Sequence, residues 1–127
     1  MENGQGFEKG LITLKPEQKL WKYVKKNFNK ITWTRLENLS SFGTPDLLGY
    51  NHNCHFFTVE LKVTKSKKVR LSPHQISFHV RHPLDTFILV LDARHSLLKL
   101  YEGKDVLELA ARGLSLDACC SGLEACR

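Results

Sequence analysis

The stretch from Phe57 to Val63 constrains this chain more than any other. Phe57, Val59, Leu61 and Val63 alternate with Thr58, Glu60 and Lys62. Successive side chains of a strand point to opposite faces, so this period of two gathers the apolar residues on one side. The other side then carries an acid beside an ammonium. Such a run needs a sheet with one covered face. The polar turn Asn51-His52-Asn53 separates it from Asp46-Leu47-Leu48-Gly49-Tyr50, and the two runs read as a hairpin. Upstream, Ile31 to Leu36 is rich in β-branched and aromatic residues and predicts a further strand, ended by the turn-rich Ser40 to Pro45.

Helices are signalled around this hairpin. Leu20, Trp21, Val24 and Phe28 recur at helical spacing after Pro16, with lysines between them, so Pro16 to Phe28 reads as an amphipathic helix with proline in its first turn. Ser72-Pro73-His74-Gln75 combines an N-cap serine, a first-turn proline and a glutamine at the third position, a capping box. That helix is expected to run to about Arg81, before Pro83. Thr86 to Leu91 is continuously apolar, as in strands covered on both faces. Ser96 to Tyr101 predicts another strand and Gly103 to Ala111 a short helix. The expected fold is α/β, a central mixed β-sheet flanked by helices, antiparallel at the hairpin and parallel where the Ser72 helix crosses over. A length of 127 residues fits one domain. Residues 1–14 are expected to form an irregular lead-in and residues 112–127 a helical C-terminal tail.

Charge narrows the partners. The net charge is +6, and the excess falls in two clusters: Lys19, Lys22, Lys25, Lys26 and Lys30, then Lys62, Lys65, Lys67, Lys68 and Arg70. Clusters of this kind neutralise phosphates and release counterions, although a solvated helix face and a lysine-rich loop look the same in sequence. No apolar run approaches the ~20 residues that cross a bilayer, and the first residues lack a secretory pattern, so no membrane partner and a cytoplasmic location are expected. The four cysteines, Cys54, Cys119, Cys120 and Cys126, form no CxxC pair and read as reduced thiols rather than zinc ligands.

Taken singly, the polar residues around the hairpin are ordinary. Asp46 after Pro45 suits a turn, and Glu60 with Lys62 suits an ion pair on an exposed sheet. The combination is more restrictive. Gly43-x-Pro45-Asp46 precedes Glu60-x-Lys62 with fourteen positions from acid to acid, and a basic loop and a glutamine-bearing helix follow. This arrangement resembles the PD-(D/E)xK nuclease superfamily, in particular its virus-type replication–repair branch (VRR-Nuc) and the small Holliday-junction-resolvase-like phage nucleases. The resemblance spans about Trp33 to Val90 and includes Arg35-Leu36-Glu37-Asn38, Phe57 to Val63, Leu71 to Gln75 and Phe87 to Val90. One departure is His82-Pro83-Leu84-Asp85, where relatives often place a small residue before the last core strand.

The resemblance implies a restriction-endonuclease-like core of order αβββαβ and a Mg2+-dependent endodeoxyribonuclease, with Mn2+ able to substitute. Its catalytic residues would be Asp46, Glu60, Lys62, Gln75 and Glu37. The metal ligands would be Asp46, Glu60, the backbone carbonyl of Leu61 and Glu37, with Glu17 as an alternative upstream acid. Phosphodiester hydrolysis needs an activated water and stabilised charge on the phosphoryl oxygens, which two carboxylates on a hard cation and a nearby lysine can supply. Lys62 could orient or deprotonate the water or stabilise the transition state. Gln75 could complete the capping box, or aim at the scissile phosphate or Lys62.

DNA contact is expected at Lys65, Lys67, Lys68, Arg70 and His79, the last because Gln75, His79 and His82 share one helical face. The expected partners are DNA, branched or otherwise structured, and a second copy of the chain, since a homodimer would present two sites to a two-fold junction. No organic cofactor is implied, and a phage-encoded chain would work in a bacterial host's cytoplasm. A sequence-specific endonuclease of homing or restriction type is the enzymatic alternative, and a non-catalytic nucleic-acid-binding module the other.

Overall fold

The computed structural model describes residues 15–36 and 43–121, with the backbone alone at Cys120 and Ser121. The lead-in 1–14, Glu37 and Cys126 lie outside the described residues.

Helix α1 (Pro16–Asn27) begins where Pro16 sets the first turn and Gln18 Oε1 accepts the N–H of Lys15 at 3.0 Å. Its buried residues, Leu20 and Val24, lie one turn apart, with exposed lysines on the far side. Strands β1 (Thr32–Arg35), β2 (Leu47–Tyr50) and β3 (Phe56–Thr64) follow as an antiparallel meander. Helix α2 (Pro73–Arg81) then carries the chain back over the sheet to β4 (Thr86–Asp92), which pairs parallel with β3. Strand β5 (Leu97–Glu102) returns antiparallel to β4. A 3-10 turn (Gly103–Asp105) opens into α3 (Val106–Arg112), and β6 (Cys120–Ser121) closes the edge of a six-stranded sheet in order β1 to β6. The molecule is therefore α/β, a mixed sheet with helices on both faces.

The period of two in β3 sorts the core into two layers. Val59 and Leu61 pack with Leu20, Val24 and Phe28 of the α1 side. On the opposite face Ile88 and Val90 of β4 meet Val106 and Leu109 of α3. Strand β4 supplies both layers, because Phe87, Leu89 and Leu91 turn to the α1 side. Its unbroken apolar run is the consequence of being covered twice.

The C-terminal tail departs from expectation. After α3 ends at Gly113, whose φ of +60° a side chain would strain, the described chain makes a 3-10 turn and then extends into β6. Leu114, Leu116 and Ala118 all pack on the α3 cluster. Leu114 is buried within the 3-10 turn, and Leu116 and Ala118 are half-buried as the chain extends toward β6.

Leu47 is fully buried in the core layer on the α1 side, whereas Leu84 is 78% exposed. Leu47→Ala should cost about 2–5 kcal/mol of unfolding free energy in denaturant titration. Leu84→Ala should stay within about 0.5 kcal/mol. Equal effects would contradict this assignment of the core.

Candidate functional site

Asp46 owes its position to the turn before it. Gly43 has a φ of +84°, and a Cβ there would collide with the backbone carbonyl of His74. The turn thus lies against the first turn of α2, an approach that only glycine permits. Strand β2 begins with Leu47 paired to Val59, so β3 runs on past the end of its partner. The N–H of Leu61 has no strand partner on that edge, and Asp46 Oδ2 accepts it at 2.8 Å. One strand residue directs its N–H and C=O toward the same edge, so the Leu61 carbonyl opens on the side where Asp46 stands.

Glu60 and Lys62 project from β3 toward α2. Glu60 is only 3% exposed, and its neighbour across the parallel pairing is the buried Ile88. The carboxamide of Gln75 joins the two. Its Nε2 donates to Glu60 Oε2 at 3.0 Å, and its Oε1 accepts from Lys62 Nζ at 2.9 Å. The same Oε1 accepts the N–H of Ser72 at 2.9 Å, while Ser72 Oγ accepts the N–H of Gln75 at 3.1 Å. Of the roles open for Gln75 in the sequence, two are filled at once: it completes the capping box and holds Lys62.

Burial first, and then the charge of the neighbouring Asp46, push the Glu60 carboxyl up to about 9, with Lys62 opposing the rise and Glu17 adding to it. Glu60 Oε1 is buried with no hydrogen-bond partner among the described residues. A buried acceptor without a donor is costly, and a carboxylate beside a second acid is costlier still. The pair is short of positive charge. That is the condition a hard divalent cation relieves, and two carboxylates with a main-chain carbonyl are oxygen donors of the kind Mg2+ and Mn2+ take. Among the described residues no group of three or more His, Cys, Asp and Glu side chains is placed to hold a metal ion, so any cation here would rest on the two carboxylates and main-chain oxygen.

Lys62 also lines a cavity of about 390 Å3, together with Glu17, Thr64, Lys65, Lys68 and Arg70 among others. Glu17, ranked behind Glu37 in the sequence, thus reaches the site from the first turn of α1. The basic loop that follows β3 is anchored rather than loose. Thr64 Oγ1 donates to Lys68 O at 2.7 Å, Val69 is buried, and the N–H of Leu114 donates to Lys67 O at 2.7 Å. Lys65, Lys67, Lys68 and Arg70 remain exposed on it.

His79 does not stand at a DNA-facing surface. It is fully buried against Gly103 and Thr86, its Nδ1 donating to Gln75 O at 2.9 Å, and burial lowers its pKa. The face it shares with Gln75 is the one turned to the sheet, as the contact of Gln75 with Glu60 requires, so shared spacing placed it inside. His82 is exposed and stacks on Phe78 at 4.3 Å between ring centroids.

No family model matches the chain, and no curated protein matches it in sequence. The chemistry therefore rests on the side chains themselves.

The raised Glu60 pKa has a definite sign. Between the ordinary carboxylate value of 4.5 and about 9, the folded chain holds a proton that the unfolded chain has lost. The associated stability is complete below the lower value and is lost as pH rises toward the upper one. Glu60→Gln stays neutral and escapes this loss. With a chelator present, its stability advantage over the wild type should grow between pH 5 and pH 8, by at most about 1.4 kcal/mol per pH unit. Parallel melting curves across that range would mean that Glu60 is ionised in the free protein.

Proposed function

We propose that this chain is a Mg2+-dependent DNA endonuclease built on a restriction-endonuclease-like core. The observation that carries the reading is the convergence of Asp46, Glu60, Lys62 and Gln75 at one point of the sheet, with a buried, unpartnered carboxylate oxygen at its centre. A simple ion pair would need none of this. Glu60 would pair with Lys62 directly, and its second oxygen would face water. The order α1-β1-β2-β3-α2-β4, with a parallel crossover through the glutamine-bearing helix, supports the same core.

In this reading Asp46, Glu60 and the Leu61 carbonyl hold the cation, which supplies Lewis acidity and a more acidic water. The protein's own share is positioning and electrostatics. The hydrogen bond from Leu61 N–H fixes Asp46, and that from Gln75 Nε2 fixes Glu60. Gln75 Oε1 holds Lys62 Nζ at the wall of the cavity, where an ammonium can orient the attacking water and meet charge building on the phosphoryl oxygens. Lys65, Lys67, Lys68 and Arg70 neutralise backbone phosphates, which positions DNA without reading its sequence. That mode favours a substrate known by its shape, such as a branched duplex, engaged by two copies of the chain.

Cleavage of linear duplex, single-strand, flap, bubble and four-way-junction DNA should require Mg2+ or Mn2+ and favour branched forms. Lys62→Ala should lower the rate by about 10²-fold or more. Asp46→Asn and Glu60→Gln should abolish cutting. In chelator, DNA affinity should stay intact or rise for Asp46→Asn, which removes a negative charge. It should stay unchanged for Glu60→Gln, which below about pH 9 replaces a neutral carboxyl. Cutting that survives both a chelator and Lys62→Ala would sink the assignment.

Replacing Lys67 and Lys68 with Gln removes two charges from the exposed loop. The slope of log affinity against log salt should fall by about 2, equally for unrelated sequences. A loss confined to one base sequence would instead point to base reading.

A further inference from the structure

A second cavity lies on the other face of the sheet. It holds about 730 Å3 between the C-terminal end of α1 and the β2–β3 turn. Its floor carries an aromatic row that draws on three strands and crosses four. Trp33 of β1 meets Phe57 of β3 edge-on at 5.7 Å, and Phe57 meets Phe87 of β4 in the same way at 5.9 Å. Gly49 of β2 makes the row continuous. A Cβ at Gly49 would strike the Phe57 ring, so its absence lets that ring lie over β2 toward Trp33. Trp33 is pinned by its Nε1, which donates to Phe28 O at 3.0 Å.

The rim is basic and amide-rich. Lys26 and Lys30 line it, and no aspartate or glutamate does among the described residues. Asn51 Oδ1 is taken by the N–H groups of Asn53 and His55 at 3.0 and 3.1 Å, which leaves its amide hydrogens as donors. Asn27 Nδ2 donates to Tyr23 O at 2.8 Å, which leaves its Oδ1 as an acceptor. Apolar rings below, one amide donor and one amide acceptor at the edge, and two ammonium groups match one ligand chemistry. A planar heteroaromatic ring with a hydrogen-bonding edge and an attached phosphate meets all of them.

We propose that this cleft is a nucleotide-binding site, separate from the carboxylate pair and on the opposite face of the sheet. The base rests against the Trp33–Phe57 row, the asparagines meet its edge, and Lys26 and Lys30 take its phosphate. Binding here does not depend on metal or on hydrolysis, so it stands or falls apart from the nuclease reading.

The chain has two tryptophans, so Trp21→Phe leaves Trp33 as the sole reporter. The full-length variant, in buffer with chelator, is titrated with dTMP, dAMP and thymidine while Trp33 emission is recorded. Both nucleotides should give a saturable change. Thymidine, lacking the phosphate, should bind about tenfold more weakly or worse, and Lys26→Gln with Lys30→Gln should erase that difference. Competition by a duplex with one unpaired nucleotide, and none by a fully paired duplex, would assign the site to unpaired bases of nucleic acid. Competition by neither would assign it to free nucleotides. No saturable response to either nucleotide overturns the proposal, as does a response that the double lysine variant leaves unchanged. Trp33 shielded from acrylamide and unresponsive to nucleotide also overturns it, because the cleft would then be filled by the chain itself.

Discussion

The carboxamide of Gln75 makes three side-chain hydrogen bonds, and each ties down a different part of the molecule. Its oxygen accepts the N–H of Ser72 and so completes the start of α2. The same oxygen takes the ammonium of Lys62, and its NH2 group donates to Glu60. A neutral amide carries a donor and an acceptor at opposite corners, so it satisfies an acid and a base together. A glutamate here would repel Glu60, and a lysine would repel Lys62. The arrangement also depends on the parallel pairing of β3 with β4. Only a crossover returns the chain over the sheet and lays the N-terminus of α2 above the middle of β3.

The site is costly to the fold. Glu60 is buried beside Asp46, one of its oxygens has no partner among the described residues, and its carboxyl is driven up to about 9. A core built only for stability would place an apolar residue there, as it does at Ile88 across the strand pairing. Local rules of this kind are broken mainly where a protein does chemistry. The surrounding structure absorbs the cost through two apolar layers and a basic loop pinned at Thr64, Lys67 and Val69.

Strand β3 is where both faces of the molecule meet. Its even positions, Glu60 and Lys62, look toward α2, while Phe57, Val59 and Leu61 look toward α1. The carboxylate site and the aromatic cleft are thus two readings of one alternating strand. Gly43 and Gly49 serve them in turn. The first lets the Asp46 turn approach α2, and the second lets Phe57 lie across β2.

The alternation of β3, the hairpin, the capping box at Ser72 and the doubly covered β4 were all legible in the chain, because each depends on neighbours within a few residues. So was the pairing of Glu60 with Lys62 on one face, which follows from the strand period alone. Through Ser121 the tail is a 3-10 turn and an extended segment instead of a helix, because its pairing with β5 joins residues far apart in the chain. His79 was misplaced for a related reason: helical spacing tells which residues share a face, not which face the sheet covers. The approach of Glu17 to Lys62, the missing donor for Glu60 Oε1 and the aromatic row over Gly49 arose only in three dimensions. Sequence by itself determined the elements and the facing of their side chains, since backbone geometry makes those local. Burial, and with it the charge state of Glu60 and the two cavities, was decided by tertiary packing, because desolvation depends on atoms far apart in the chain.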